Sequence, residues 1–92
     1  MNELRFDWDP AKAAPNLKKH GISFAEAKSA FADERAKVIP DPDHSVDEER
    51  FVLIGLSLKL RLLVVCHCYR ERSGTIRIIS ARRATKTETR QY

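Results

Sequence analysis

Ninety-two residues with 42% apolar and 33% charged side chains describe one soluble folded domain rather than a disordered chain, with a core large enough to fold alone and little stability to spare. The formal charge of +4 is unevenly spread: residues 1–60 carry nine Lys or Arg against eleven Asp or Glu, a net of −2, whereas residues 61–92 carry eight against two, a net of +6. No apolar run nears the roughly 20 residues of a bilayer-spanning helix and the start MNELRFDWD is too acidic and polar for a signal peptide, so the expected location is the cytoplasm, with no membrane association and a basic C-terminal third suited to nucleic acid or an acidic partner.

In chain order, Glu3 to Trp8 reads as a short strand, with Leu4, Phe6 and Trp8 alternating against Arg5 and Asp7. Asp9-Pro10 then opens a helix, Asp as N-cap and Pro preorganised for the first turn. Lys18, Lys19 and His20 oppose the negative end of its dipole, and Gly21 supplies the left-handed stop. Pro15 inside it removes a bond to the Ala11 carbonyl and favours a kink. Ser23 and Glu26 form a capping box for a second helix from Phe24 to about Ala32, stapled by Ile22 against Ala27, with Phe24, Ala27 and Phe31 on one face. Ala36 to Ile39 is a strand stopped by Pro40, Asp41 to Asp47 an acidic turn-rich loop, and Glu49 to Leu58 a strand with Arg50 at its entrance. A reversal falls near Ser57 to Lys59.

Arg61 to Thr85 is a hairpin: the apolar runs of Leu62 to Val65 and Ile76 to Ile79 flank the polar turn Glu71-Arg72-Ser73-Gly74. Thr85 and Glu88 repeat the capping pattern over a short terminal helix. Consecutive strands with short connections pair antiparallel, so the fold class is α+β, with helices on one face of an antiparallel sheet.

The hairpin carries unusual cargo. Arg70, Arg72, Arg77, Arg82 and Arg83 lie on or beside strands that otherwise look buried, and a planar guanidinium grips phosphate at any physiological pH. Solvated arginines snorkelling from the sheet edges are the plain alternative. Strand parity sorts Leu63, Val65, His67 and Tyr69 from Val64, Cys66, Cys68 and Arg70, and it puts Arg77 and Arg82 on opposite faces unless a bulge re-aims one of them. An open arginine-bearing face suits an RNA backbone. There the 2′-hydroxyl attacks the neighbouring phosphorus, and fixed cations neutralise the charge gathering on the phosphoryl oxygens. His67, His20 and Tyr92 are the candidates for the proton steps. Cys66 and Cys68 sit two apart on one strand, a poor geometry for a disulfide, and read as reduced. Cys66-His67-Cys68 is a poor metal site, because alternation sends His67 away from both thiols and no second Cys pair exists. Neither metal nor cofactor is expected. Trp8 reads as a core residue and Glu88 as a capping or partner-contact residue.

Phe6-Asp7-Trp8-Asp9, Lys12, Asn16, Lys19-His20-Gly21-Ile22-Ser23-Phe24, Ala27, Phe31, Glu49-Arg50, Ile54-Gly55, Arg70, Ile76 to Arg82, Ala84-Thr85, Glu88 and Tyr92 together resemble the BrnT family of type II toxin–antitoxin toxins. The resemblance implies a RelE-like α+β fold and a metal-independent endoribonuclease that inhibits translation. It also implies a BrnA-like antitoxin with a ribbon-helix-helix part, in a heterotetramer built around an antitoxin dimer that carries the complex to operator DNA. The site residues it implies are Arg50, Arg70, Arg77 and Arg82, with His20 and Tyr92, for catalysis, and Arg72, Arg83 and Lys86 for RNA binding. Pro15 and Thr89 depart from the family pattern. Two further readings stay open: a non-catalytic basic module that docks nucleic acid or an acidic partner, and a structural interaction subunit.

Overall fold

The computed structural model describes residues 4–41 and 49–92, so most of the acidic turn-rich segment and the first residue of the predicted opening strand, Glu3, lie outside the described residues. The local signals set the boundaries. Strand β1 spans Arg5–Trp8, and α1 spans Pro10–His20 with the Asp9 carboxylate accepting from the Ala11 N–H and Gly21 left-handed at φ 71°. The helix is continuous through Pro15. Ser23 caps α2, Phe24–Ala30, two residues shorter than expected because Phe31 already serves as its C-cap.

Then come β2 (Lys37–Pro40), β3 (Phe51–Leu56), β4 (Leu62–Arg70) and β5 (Thr75–Arg83). Pro40 lies within β2 rather than after it, which an edge strand tolerates because one row of its N–H groups faces away from the ladder. The β3–β4 reversal closes through the Ser57 N–H to the Arg61 carbonyl at 2.9 Å, with Leu60 left-handed at φ 61°. Thr85 and Glu88 complete their reciprocal capping box around α3, Lys86–Thr89.

The sheet order is β1-β5-β4-β3-β2, and one expectation is corrected by it: the sheet is mixed. Strands β2 to β5 meander antiparallel, as short connections dictate, but β1 is separated from β2 by both helices and crosses to the far edge, where it pairs parallel with β5. The core lies between the two helices and one sheet face, with Ile22, Phe24, Ala27 and Ala30 on Leu53, Leu63, Val65, Ile78 and Ala81. Trp8 packs edge-on against Phe24, as a core residue should.

Two contacts explain why α2 sits so close. A Cβ on Gly55 would meet the Ala30 carbonyl oxygen at 2.8 Å and Leu53 Cδ2 at 2.9 Å, so only glycine admits the helix there. At the other end, buried Glu26 accepts from Ser57 Oγ at 2.7 Å and from the Arg61 guanidinium, pinning α2 to the β3–β4 turn. Arg61 holds the Glu26 carboxyl below its ordinary range, against the opposing pull of burial. Among the described residues no helix is long and apolar enough to cross a membrane.

Candidate active site

The parity conflict between Arg77 and Arg82 is resolved by a bulge. Across the β4–β5 ladder His67 faces Ile78 and Cys66 faces Ser80, leaving Ile79 as the extra residue. Alternation therefore resets: Arg77 pairs with Cys68 and Arg82 with Val64, both on the face turned away from α1 and α2. Ala81 turns to the core opposite Val65.

Asn16 of α1 holds this irregular stretch. Strand β1 ends its pairing at Trp8 opposite Ile78, and beyond it, among the described residues, β5 has no strand neighbour on that side. The buried Asn16 amide takes the place of one: Oδ1 accepts the Ala81 N–H at 3.1 Å, while Nδ2 donates to the Ala81 carbonyl at 2.9 Å and the Ile22 carbonyl at 3.0 Å. A polar side chain inside the core is thereby fully used.

The registers also set the spacing of the arginines. Phe51 faces His67, so continuing β3 by one residue puts Arg50 beside Cys68, which on its other side faces Arg77. Arg50 and Arg77 thus flank Cys68 in one row, roughly 10 Å apart at the backbone, two strand spacings. Arg70, opposite Thr75, is one row further on the same face. Arg82 stands two rows in the other direction, so by register Arg50, Arg70 and Arg77 hold adjacent positions on this face and Arg82 stands apart. Asp7, facing Arg77 across β1, approaches it at 3.4 Å.

Arg82 is held differently. Its NH1 and NH2 donate to the two Glu88 oxygens, each at 2.7 Å, and Glu88 Oε1 also accepts the Thr85 N–H at 2.9 Å. The Arg82 fork holds the Glu88 carboxyl down at about 2. This pair draws α3 onto the arginine face. Tyr92 completes the strap by donating to Asp33 Oδ2 at 2.5 Å, the same oxygen that accepts the Leu56 N–H at 2.8 Å. Asp33 pushes the Tyr92 phenol up and away from use as a base at neutral pH.

The remaining predicted residues are dispersed. His20 closes the last turn of α1 and lines a cavity with Lys12, Asn16, Lys19 and Ile79 at the β5 edge, apart from the arginine row. Arg72 is exposed in the β4–β5 turn and Lys86 is exposed on α3. Arg83 faces Leu63, on the helix side of the sheet, and is not part of the arginine face.

His67 is corrected from a candidate proton carrier to a core residue. It is 5% exposed, its Nδ1 lies 3.1 Å from the Val65 carbonyl, and the Phe31 ring meets it edge-on. Burial pushes its pKa below the ordinary histidine value, so it stays neutral. Cys66 is equally unreactive: burial, then the neighbouring Asp41 carboxylate, raises its thiol to about 11. Among the described residues no three His, Cys, Asp or Glu side chains converge as metal ligands. Asn16, Glu26 and Glu88 are the supporting residues whose full roles sequence reasoning missed. A polar residue on the buried face of an amphipathic helix was the available signal for Asn16.

A protein-family profile described as "Ribonuclease toxin, BrnT, of type II toxin-antitoxin system" matches residues 8–88. The crystal structure of the Brucella abortus ribonuclease toxin BrnT is similar to this chain with a TM-score of 0.68 and 28% identity, covering 91% of this chain and 100% of that one. No curated protein matches.

Proposed function

Because the chain belongs to the BrnT family of ribonuclease toxins of type II toxin–antitoxin systems, we propose that it cuts RNA without a metal on the arginine face of its sheet, halting translation in the cytoplasm. The observation that carries this reading is the bulge at Ile79, which sets Arg77 and Arg82 on the same face as Arg50 and Arg70. Transesterification by the 2′-hydroxyl forms a bond from that oxygen to phosphorus and breaks the bond from phosphorus to the 5′-oxygen. It leaves a 2′,3′-cyclic phosphate and a free 5′-hydroxyl. One proton leaves the 2′-oxygen, one reaches the 5′-oxygen, and extra negative charge collects on the phosphoryl oxygens between. Arg50, Arg70 and Arg77 neutralise that charge, Arg70 and Arg77 seated on paired strands and Arg50 just ahead of β3. Arg82 contacts a phosphate further along, with the outer edge of a guanidinium that Glu88 keeps oriented. His20, half-buried at the end of α1, serves a strand passing over the β5 edge, with Arg72 and Lys86 as outlying backbone contacts.

The neutralising partner is an antitoxin of the BrnA type, whose dimer assembles two toxin copies and carries them to operator DNA through its ribbon-helix-helix part. The test is cleavage of RNA in EDTA by protein freed of its antitoxin, with loss on Arg77→Ala and retained folding by circular dichroism. Intact RNA after prolonged incubation, with and without ribosomes, would refute the proposal. A basic module that only binds would show steep salt dependence and no cut.

A further inference from the structure

Strand β4 overhangs its neighbour. Strand β3 begins at Phe51 opposite His67, so Tyr69 and Arg70 run past it, and a cavity of 330 Å³ opens there between Glu49, Phe51, Cys68, Tyr69, Arg70 and Glu71. Its volume falls within the order of 300–1,000 Å³ typical of small-molecule sites. A second cavity, lined in part by Arg50, shares Glu49 and Phe51 with it. The walls are chemically mixed in an informative way. Two carboxylates, Glu49 and Glu71, at the rim of a basic face repel phosphate and ask for N–H donors instead. Tyr69, 49% exposed, and Phe51 offer aromatic faces on which a flat ring stacks. By alternation Tyr69 and Phe51 stand on the helix side of the sheet and Arg70 on the arginine face, so the cavity wraps the end of the sheet and Arg70 ties a ligand here to the phosphate path.

Taking the ribonuclease reading above as the source of the ligand, we infer that this cavity is the base-reading subsite and takes an unpaired guanine. Guanine presents N1–H and N2–H side by side, matching the two oxygens of one carboxylate. Uracil presents one N–H between two carbonyls that a carboxylate repels. Tyr69 supplies the stack and Glu49 the selection; both are specificity residues rather than catalytic ones. Calorimetric titration of the full chain with guanosine, adenosine, cytidine and uridine 5′-monophosphates tests this independently of any cut. The wild type should bind the guanine nucleotide at least tenfold more tightly than the uridine one. Tyr69→Ala should weaken all four about tenfold, Tyr69→Phe should restore them, and Glu49→Gln should erase the guanine preference alone. Equal binding of all four by the wild type, or no response to Tyr69→Ala in a folded variant, would overturn the assignment. Sequencing of cut ends separates the two proposals. Guanine binding through Tyr69 with RNA left intact sinks only the ribonuclease reading, whereas cleavage with a base preference that ignores Glu49 and Tyr69 sinks only this one.

Discussion

Replacing Asn16 tests whether one amide holds the bulged strand in place. Asn16→Ala deletes three hydrogen bonds of 2.9 to 3.1 Å and leaves the Ala81 N–H and two carbonyls without their side-chain partner beneath α1. At roughly 1 kcal/mol per bond, with a further ~1 kcal/mol for the stranded donor, the loss is about 4 kcal/mol, a large share of the roughly 5–14 kcal/mol that a chain this size holds in all. For a small domain that lowers Tm by on the order of 16–30 °C, measurable by circular dichroism or by Trp8 fluorescence. Asn16→Asp sharpens the test. The new carboxylate keeps the acceptor for Ala81 but turns negative oxygen toward the Ala81 and Ile22 carbonyls, so its folded pKa is raised above the unfolded value near ~3.9. A group raised in the folded state stabilises below its unfolded pKa and loses that contribution as pH rises through the folded one. The deficit of Asn16→Asp relative to wild type should therefore be smallest below about pH 4 and widen toward pH 7. A Tm within about 3 °C of wild type for Asn16→Ala, or a pH-independent deficit for Asn16→Asp, would refute the reasoning.

Gly55→Ala should cost about 2–3 kcal/mol in chemical denaturation, because its Cβ collides with the backbone oxygen of Ala30 rather than with a side chain that can swing away. Arg61→Ala leaves the buried Glu26 carboxylate without its cation and should lower Tm, and Arg61→Ala combined with Glu26→Gln should recover part of the loss. Glu88→Gln should lower Tm modestly at pH 7 and by progressively less as pH falls from about 4.5 toward 2. The folded-state pKa of Glu88 is depressed to about 2, so its contribution is present above the ordinary value of 4.5 and lost as pH falls through the folded one. Alkylation of Cys66 at pH 7.5 should be slow in the folded protein and fast in denaturant, as mass spectrometry would show.

What could be read along the chain was local. The Asp9 cap, the Gly21 stop and the Thr85–Glu88 box each depend on residues within a few positions of one another and formed as their spacing implies, whereas of the expected Ser23–Glu26 box only the Ser23 half formed, the Glu26 carboxylate going to Ser57 and Arg61 instead. What escaped was carried by pairs far apart in the chain. Nothing near Arg5 says that it will lie alongside Thr75, and nothing near Glu26 names Arg61 as its partner. Alternation puts His67 on the same strand face as Leu63 and Val65, but which face the helices cover is a tertiary outcome. Strand parity asks for a bulge if Arg77 and Arg82 are to share a face, but does not say where it falls. Its position at Ile79 follows from where β1 stops and Asn16 begins to act as a neighbour.

The shared sheet face of the arginines is tested most directly by single-turnover RNA cleavage in EDTA with the antitoxin-free chain and two variants, Arg77→Ala and Arg83→Ala. Both remove one guanidinium from the same strand, but only Arg77 stands on the arginine face. Cleavage should fall about 100-fold or more for Arg77→Ala and stay within a few-fold of wild type for Arg83→Ala. Equal losses from the two would mean that overall charge, and not a shared face of the sheet, drives whatever this basic surface does.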